Sequence, residues 1–483
     1  MAGLNEQLSG IHDQIVNDGF IHAVVIGMGG SSMTPLTIAS VFKNYPDDRP
    51  SQIQLHTIDT INPKTVAELT GRLDLGKTLF FVSSKSGTTI ETLSLEAFFR
   101  DKLLRIEDKA NDSRKWVVLT DSATPLSEKA RSGEYGTWVT TPNDVGGRFS
   151  ALSAFGMMPA AAMGLEISEF AKSASNMAQR CQFNQEDNPG LKLGAFLAAN
   201  ALNGKDKVTL ITSEKFSIFG LWVEQLLAES TGKNGKGLIP ITGEKILHPK
   251  FYGSDRQFVI FDDNKNSLLD NPYIKSLASQ HPTMVIKASS PSPYELGGEF
   301  FRWQFATAAA ASLLKIYPFD QPDVDSAKTE AKKLLSNQVI NIDNVSVNKA
   351  IEQIKNGRPP RYVAIVAYLN ESEELTSAFS ELRKVISQKT KLATTFGYGP
   401  RYLHSTGQIY KGGRQDAIVL GFVSGKYDHL AVPGEAYTFG QLCLAQSGAD
   451  FSVMTAGGQK VLAIVTGDNP IDDVNIAAQR MSE

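Results

Sequence analysis

Cysteine is nearly absent: Cys181 and Cys443 are the only two among 483 residues. That excludes a disulfide framework and a cysteine-based zinc site. The seven histidines (12, 22, 56, 248, 281, 404 and 429) are scattered, and no two have the i, i+4 spacing of a helical metal site. No protein-bound metal is expected. An excess of one charge is also missing. Lys and Arg total 48, Asp and Glu 51, and the net charge is −3. No basic field concentrates nucleic acid, and no acidic block marks a disordered tail. Long apolar runs are lacking too. The stretch Trp303–Ile316 is apolar but short, with Arg302 beside it and Lys315 inside its far end, and crossing a bilayer takes about 18 residues. The opening residues MAGLNEQLSGIHDQIVNDGF show no basic-then-apolar leader pattern. The expectation is a cytoplasmic chain with neither nucleic-acid nor membrane partners.

What is present is ordinary for a globular chain: 42% hydrophobic, 9% aromatic and 20% charged residues. At roughly 150 residues per domain, the length implies about three domains. The first 150 residues alternate strand and helix patterns. Strands are expected at His22–Met28, Ile53–Ile58, Thr78–Ser83, Lys115–Thr120 and Thr137–Thr140. Short β-branched runs of this kind belong to buried parallel strands. A second α/β unit carries strands at Lys207–Thr212, Arg256–Phe261 and Thr283–Lys287. Its expected helices are Pro189–Asn200, Ile218–Ala228 and Glu299–Ile316. Between about 330 and 350 the composition turns to Lys, Ser, Asn and Asp, which suggests a boundary. Beyond it, strands are expected at Tyr362–Tyr368, Ala417–Phe422 and Lys460–Val465, with a helix at Gly440–Gln446. The fold class is therefore α/β, with doubly wound parallel sheets and helices on both faces.

The strongest chemical signal is Ser84-Lys85-Ser86-Gly87-Thr88-Thr89-Ile90-Glu91-Thr92, directly after the strand Thr78–Ser83. Ligands of open α/β sheets bind beyond the carboxyl ends of the strands. Hydroxyls and backbone N–H groups at a helix N-terminus form a phosphate cradle there. Capping alone would explain one hydroxyl, not this density. Gly27-Met28-Gly29-Gly30-Ser31-Ser32 is a second glycine turn. It has Ser32 where a dinucleotide fingerprint asks for glycine, although the acid expected at the end of the second strand is present as Asp59. Gly146-Gly147-Arg148-Phe149-Ser150 places one arginine after two glycines. Glu229 leaves the end of the helix Ile218–Ala228, a position that suits a general base.

With GMGGSS, SSKSGTTIET, GGRFSALSAFG, LLAESTGK and YPFDQPDVDSAK standing in this order, the chain resembles the glucose-6-phosphate isomerase family, built from tandem sugar-isomerase (SIS) domains. The motifs span about 25 to 330. The resemblance implies two tandem SIS domains, at 1–175 and 176–340, followed by a C-terminal α/β domain at 341–483. It implies that Ser84, Ser86, Thr89 and Thr92 hold the sugar phosphate, with charge added by Lys85. Gly30 and Ser31 would contact the sugar hydroxyls. Glu229 would move a proton between C2 and C1, and Arg148 would stabilise the enediolate. Gln321 and Lys328 would bind substrate and help open the ring. It also implies a small sugar-phosphate substrate, no cofactor and a homodimer. An SIS isomerase of another sugar phosphate and a non-catalytic sugar-phosphate sensor are the alternatives. A sensor would not need Glu229, Arg148, Gln321 and Lys328 together.

Three features depart from the family pattern. Few residues precede the first glycine turn. Asp323 and Asp325 stand where the family prefers Gly and Glu. The family's ring-opening histidine, in a G-Q-H segment, is missing between Glu229 and Phe319; His248 and His281 in that interval read as surface residues of loops. The candidate instead is His404, in the glycine-dense stretch Phe396–Gln408, which reads unlike a core strand and resembles the isomerase half of fused transaldolase–glucose-6-phosphate isomerase chains. A structural role for His404 is the alternative.

Overall fold

The computed structural model describes residues 8, 10–43, 45, 53–106, 112–183, 187–263, 268–288, 290, 292–337 and 342–483. Within these, β-branched and aromatic runs form three parallel sheets. The first comprises β1 (His22–Gly27), β2 (Gln54–Ile58), β3 (Thr78–Ser83), β4 (Trp116–Asp121) and β5 (Thr137–Thr141), in the order β2-β1-β3-β4-β5. The second comprises β6 (Lys207–Thr212), β7 (Ile239–Ile241), β8 (Arg256–Asp262) and β9 (Thr283–Lys287), in the order β7-β6-β8-β9. The third comprises β10 (Tyr362–Tyr368), β11 (Ala393–Tyr398), β12 (Ala417–Ser424) and β13 (Lys460–Thr466), in the order β11-β10-β12-β13. Each sheet winds outward both ways from its first strand. That order brings the ends of the first and third strands side by side, and ligands of such sheets bind at this crevice.

Register sets the faces. Ile26 lies opposite Ile58 and Val82, and Gly27 opposite Ser83, so the glycine turn and the hydroxyl-rich loop leave the sheet together. One continuous core joins the first two sheets, with Val25 and Phe81 in the same cluster as Trp222, Phe300 and Trp303. The third sheet is buried on both faces, on one by its own cluster and on the other by a cluster shared with Ala228 and β7 of the second unit. Helix Asp325–Asn337 packs on helix Phe439–Ala456, which ties the second unit to the third.

Each strand run expected from the sequence is present, with ends shifted by a residue or two. Two strands were not anticipated. β7 reads only Ile-Pro-Ile. β11, Ala-Thr-Thr-Phe-Gly-Tyr, corrects the omission of a strand here, while its last residues, from Phe396, open the stretch that reads unlike a core strand. It is an edge strand that pairs with β10 alone, so it needs no continuous apolar run. The helix expected at Gly440–Gln446 extends over Phe439–Ala456, because Asp450 inside it is buried against Tyr402 and Lys411 and not solvated. The helix expected at Glu299–Ile316 runs over Leu296–Leu314. His281 is a second correction. It is buried, with its ring against Phe258 and Nε2 3.3 Å from the Pro249 carbonyl, while His248 is exposed as expected. Residues 338–341 of the expected boundary and the side chain of Asp325 lie outside the described residues. Among the described residues no helix is long and apolar enough to cross a membrane.

Candidate active site

A cleft of about 350 Å³ opens beyond the carboxyl ends of β1 and β3. Its floor is the glycine turn after β1. Gly29 has φ +58, the left-handed region that favours glycine, and a Cβ there would stand 2.7 Å from the His404 carbonyl oxygen. A Cβ on Gly30 would stand 2.0 Å from the Gly147 carbonyl oxygen. The turn therefore packs directly on both other walls of the site. Gly30 and Ser31 begin helix Gly30–Lys43 and line the cleft.

The second wall is the loop between β3 and helix Ile90–Leu104. Ser86 and Thr89 face the cleft. Ser86 Oγ accepts from the Thr88 N–H (3.3 Å) and hydroxyl (3.0 Å). The N–H groups of the helix start and the positive end of its dipole favour an anion here. Ser84 and Thr92 are buried outside the cleft wall. Ser84 Oγ lies 2.9 Å from Thr89 Oγ1, so it orients a hydroxyl that does face the cleft. Lys85 lines the cleft, but its ammonium is ion-paired with Asp121 and donates to the carbonyls of Pro142 (3.2 Å) and Asn143 (3.5 Å). Its charge is largely spent on those partners.

Across the cleft stands Glu229, in the last turn of helix Ser217–Thr231. Its Oε1 lies 3.0 Å from Arg148 Nη1, and its Oε2 accepts from Gln225 Nε2 at 3.1 Å. Arg148 is 1% exposed and held on every side. Nε donates to Ser230 Oγ (2.8 Å) and Nη1 to Gln321 Oε1 (2.9 Å). Nη2 donates to the carbonyls of Pro318 and Asp320. A guanidinium so anchored presents fixed donors and needs little reorganisation. Lys233 bonds the Tyr317 carbonyl and Asp320 carboxylate, both at 2.7 Å, which pins the same segment; burial pulls its ammonium below the usual lysine range. Lys328, on helix Asp325–Asn337, is exposed and lines the cleft.

The remaining wall comes from the third unit. His404 ends the turn Arg401–His404 that follows β11, and its Nε2 lies 2.8 Å from Glu91 Oε1. Gln446 donates to the same carboxylate oxygen at 2.7 Å. Burial pushes the Glu91 carboxyl up, but the His404 charge and the hydrogen bonds outweigh it and hold the group below the ordinary range. Arg401 bolts the turn to the first sheet through a bidentate pair with Asp59, 2.8 Å on both arms. Asp59, the acid a dinucleotide site would keep for a ribose, is consumed by this pair. Gln225 donates to the His404 carbonyl (3.0 Å), and Gln408 bonds the Gly232 carbonyl (2.9 Å) and Asp323 (2.6 Å).

The structure thus brings Gly30, Ser31, Lys85, Ser86, Thr89, Arg148, Glu229, Gln321, Lys328 and His404 to one cleft. Glu91, Gln225 and Gln408 went unnoticed in the sequence. Glu91 sits inside the serine-rich motif, and Gln225 precedes Glu229 by the four residues that share a helix face, so both carried a signal.

An anion cradle thus faces a carboxylate–guanidinium pair across one cleft, the arrangement expected of a phosphosugar isomerase. Comparison narrows the class. Residues 6–245 match the family described as Phosphoglucose isomerase. The glucose-6-phosphate isomerase of Methanocaldococcus jannaschii is 26% identical over 66% of this chain and 85% of its own length. That of Symbiobacterium thermophilum is 29% identical over 65% and 79%. Among solved structures, a hypothetical protein from Thermus thermophilus aligns with a TM-score of 0.60 at 25% identity, over 68% of this chain and 88% of that one. A glucose-6-phosphate isomerase from Chlamydia trachomatis shares the fold, with a TM-score of 0.58 at 21% identity over 69% and 73%. Residues 6–245 thus match the phosphoglucose isomerase family, and the likeness to glucose-6-phosphate isomerases extends over about two thirds of the chain.

Proposed function

We propose that this chain interconverts glucose 6-phosphate and fructose 6-phosphate through a cis-enediol. The observation that carries the reading is the Glu229–Arg148–Gln321 array facing Ser86 and Thr89 across one cleft. The phosphate binds the Ser86–Thr89 hydroxyls and the N–H groups of the helix start, with Ser84 and Thr92 supporting the loop from behind and Lys85 at its rim. The sugar then runs over Gly30 and Ser31 toward Glu229. His404, oriented by Glu91, moves the proton between the anomeric hydroxyl and the ring oxygen, and Lys328 lies on the same side of the cleft. Glu229 takes the proton from C2 and returns it to C1. As Glu229 is protonated, its negative charge passes to the enediolate oxygen, and Arg148 changes partner without moving. A positioned base contributes roughly 10²–10⁴-fold, and a preorganised oxyanion donor about 3–4 kcal/mol.

In this reading segments 1–175 and 176–340 act as the two SIS domains, and 341–483 is a third domain that supplies His404. A cytoplasmic homodimer belongs to the same reading, and sedimentation of the purified chain tests the assembly. The reaction is tested by a coupled assay on fructose 6-phosphate, with mannose 6-phosphate as competitor, in deuterated water. The wild type is expected to turn over and to exchange label at the transferred hydrogen. Glu229→Gln is expected to lose about 10²–10⁴ in kcat. Intact activity in that variant would remove Glu229 from the role.

A further inference from the structure

A second cavity, of about 250 Å³, lies beside the cleft, beyond the carboxyl end of β11. All three units wall it. Met33 comes from the helix after β1, Ile218 and Leu221 from helix Ser217–Thr231, and Phe396 and Tyr398 from β11. These make much of the wall apolar, and among its polar groups are two buried charged side chains with an atom unpartnered among the described residues, Arg383 and Glu224. Arg383, buried on helix Glu373–Thr390, donates through Nε to Thr394 Oγ1 (3.1 Å) and through Nη2 to the carbonyls of Thr242 (2.8 Å) and Thr394 (2.9 Å). Its Nη1 has no hydrogen-bond partner among the described residues. Glu224, also buried, accepts from Thr242 Oγ1 through Oε2 at 2.7 Å, and its Oε1 likewise has no partner among them.

We propose that this cavity binds a small monocarboxylate with an apolar body, its carboxylate on Arg383 Nη1 and hydrogen-bonded to Glu224, and that occupancy modulates the neighbouring active site. Pockets of this kind, apolar with a few placed polar groups, are the usual form of a small-molecule site. One free guanidinium edge suits one carboxylate. A dianion is disfavoured, because Glu224 and Glu371 line the same cavity. The coupling follows from shared parts and rests on the isomerase reading. Glu224 adjoins Gln225, which holds Glu229 and the His404 carbonyl; Arg401, Tyr402 and Ser405 of the wall flank His404.

Burial pushes the Glu224 carboxyl up to about 7, against the opposing effects of Thr242 and Arg383. The charged and titratable groups around it are Arg383, Arg401 and Glu371 at the wall, the paired Glu244 and Arg256, and Tyr410. A carboxylate ligand favours the protonated acid, so binding strengthens as pH falls through that value.

The test is calorimetric titration of the whole chain with benzoate. We expect binding that tightens about tenfold from pH 8 to pH 6, that saturating fructose 6-phosphate does not displace, and that inorganic phosphate does not displace. Ser380→Phe, which fills the cavity from a half-buried lining position, is expected to weaken benzoate at least about tenfold. Its isomerase turnover is expected not to respond to added benzoate. No binding by the wild type up to about 10 mM, displacement by sugar phosphate or by phosphate, pH-independent affinity, or full binding in a folded Ser380→Phe would each overturn the site. The wild-type arms decide the matter even if that variant does not fold. Binding with unchanged kcat and KM overturns the modulation alone. Binding by a chain that turns over no sugar phosphate upholds the cavity and defeats the isomerase reading instead.

Discussion

The first and third sheets share a strand order, yet their corresponding crossovers do opposite things. After β3, residues 84–89 carry the chain into a helix at Ile90, and the tight turn leaves N–H groups and hydroxyls facing open space. After β12, residues 425–438 separate Ser424 from the helix at Phe439. That longer loop folds back over the sheet: Tyr427 Oη donates to the Tyr368 carbonyl at 2.7 Å, at the end of β10. It then reaches the first unit, where Phe439 meets Phe98 edge-on with ring centroids 5.7 Å apart. Val432, Phe439, Leu442 and Cys443 share a core with Leu95, Phe98 and Phe99 of helix Ile90–Leu104. The same topology builds an anion cradle in one unit and a brace for that cradle in the other. Strand order fixes where a ligand can sit; the length and chemistry of the crossover decide whether one does.

Breaking the brace is expected to have the largest effect. Phe439→Ala deletes a fully buried ring and should cost about 3–5 kcal/mol in unfolding free energy, measured by urea titration. Because Phe439 supports the helix that follows the Ser84–Thr89 loop, KM for sugar phosphate should rise more than kcat falls. A change confined to stability would mean that the brace does not shape the cradle. Gly30→Ala tests the cradle's own unit. Its Cβ would stand 2.0 Å from the Gly147 carbonyl, so the segment carrying Arg148 must shift. A displacement of that size is expected to cost about 10²-fold in kcat/KM. Glu91→Gln gives the smallest effect and probes the contact between the units. The native carboxyl is held below its unfolded-state value, so its ionised form adds stability above the ordinary carboxylate range. That stability disappears as pH falls through the depressed value. Acid titration of the folded state should be shallower for Glu91→Gln than for the wild type; equal slopes would refute the pairing with His404.

Much of this was legible in sequence where the chemistry is local. Every strand but β7 and β11 announced itself as a short run rich in β-branched and apolar residues, and the cradle as hydroxyls following one of them. β11 and β7 stayed hidden because edge or short strands need no continuous apolar pattern. Glu229, Arg148, Gln321 and Lys328 stood in ordered motifs. The pairs Arg401–Asp59 and His404–Glu91 did not, since each joins residues hundreds of positions apart, and nothing near Asp59 or Glu91 marks a partner in the third unit. His281 misled for the converse reason: proline beside it suggested a loop, but the loop folds back over Phe258 and buries the ring.

The central claim is that the third unit completes the site by lending His404 to ring opening. It is tested most directly by His404→Ala assayed on two substrates, fructose 6-phosphate, which is cyclic, and 5-deoxyfructose 6-phosphate, which cannot close its ring. The account predicts a loss of about 10² or more on the cyclic substrate and a change of no more than a few-fold on the open one. Equal losses on both, or none on either, would contradict it.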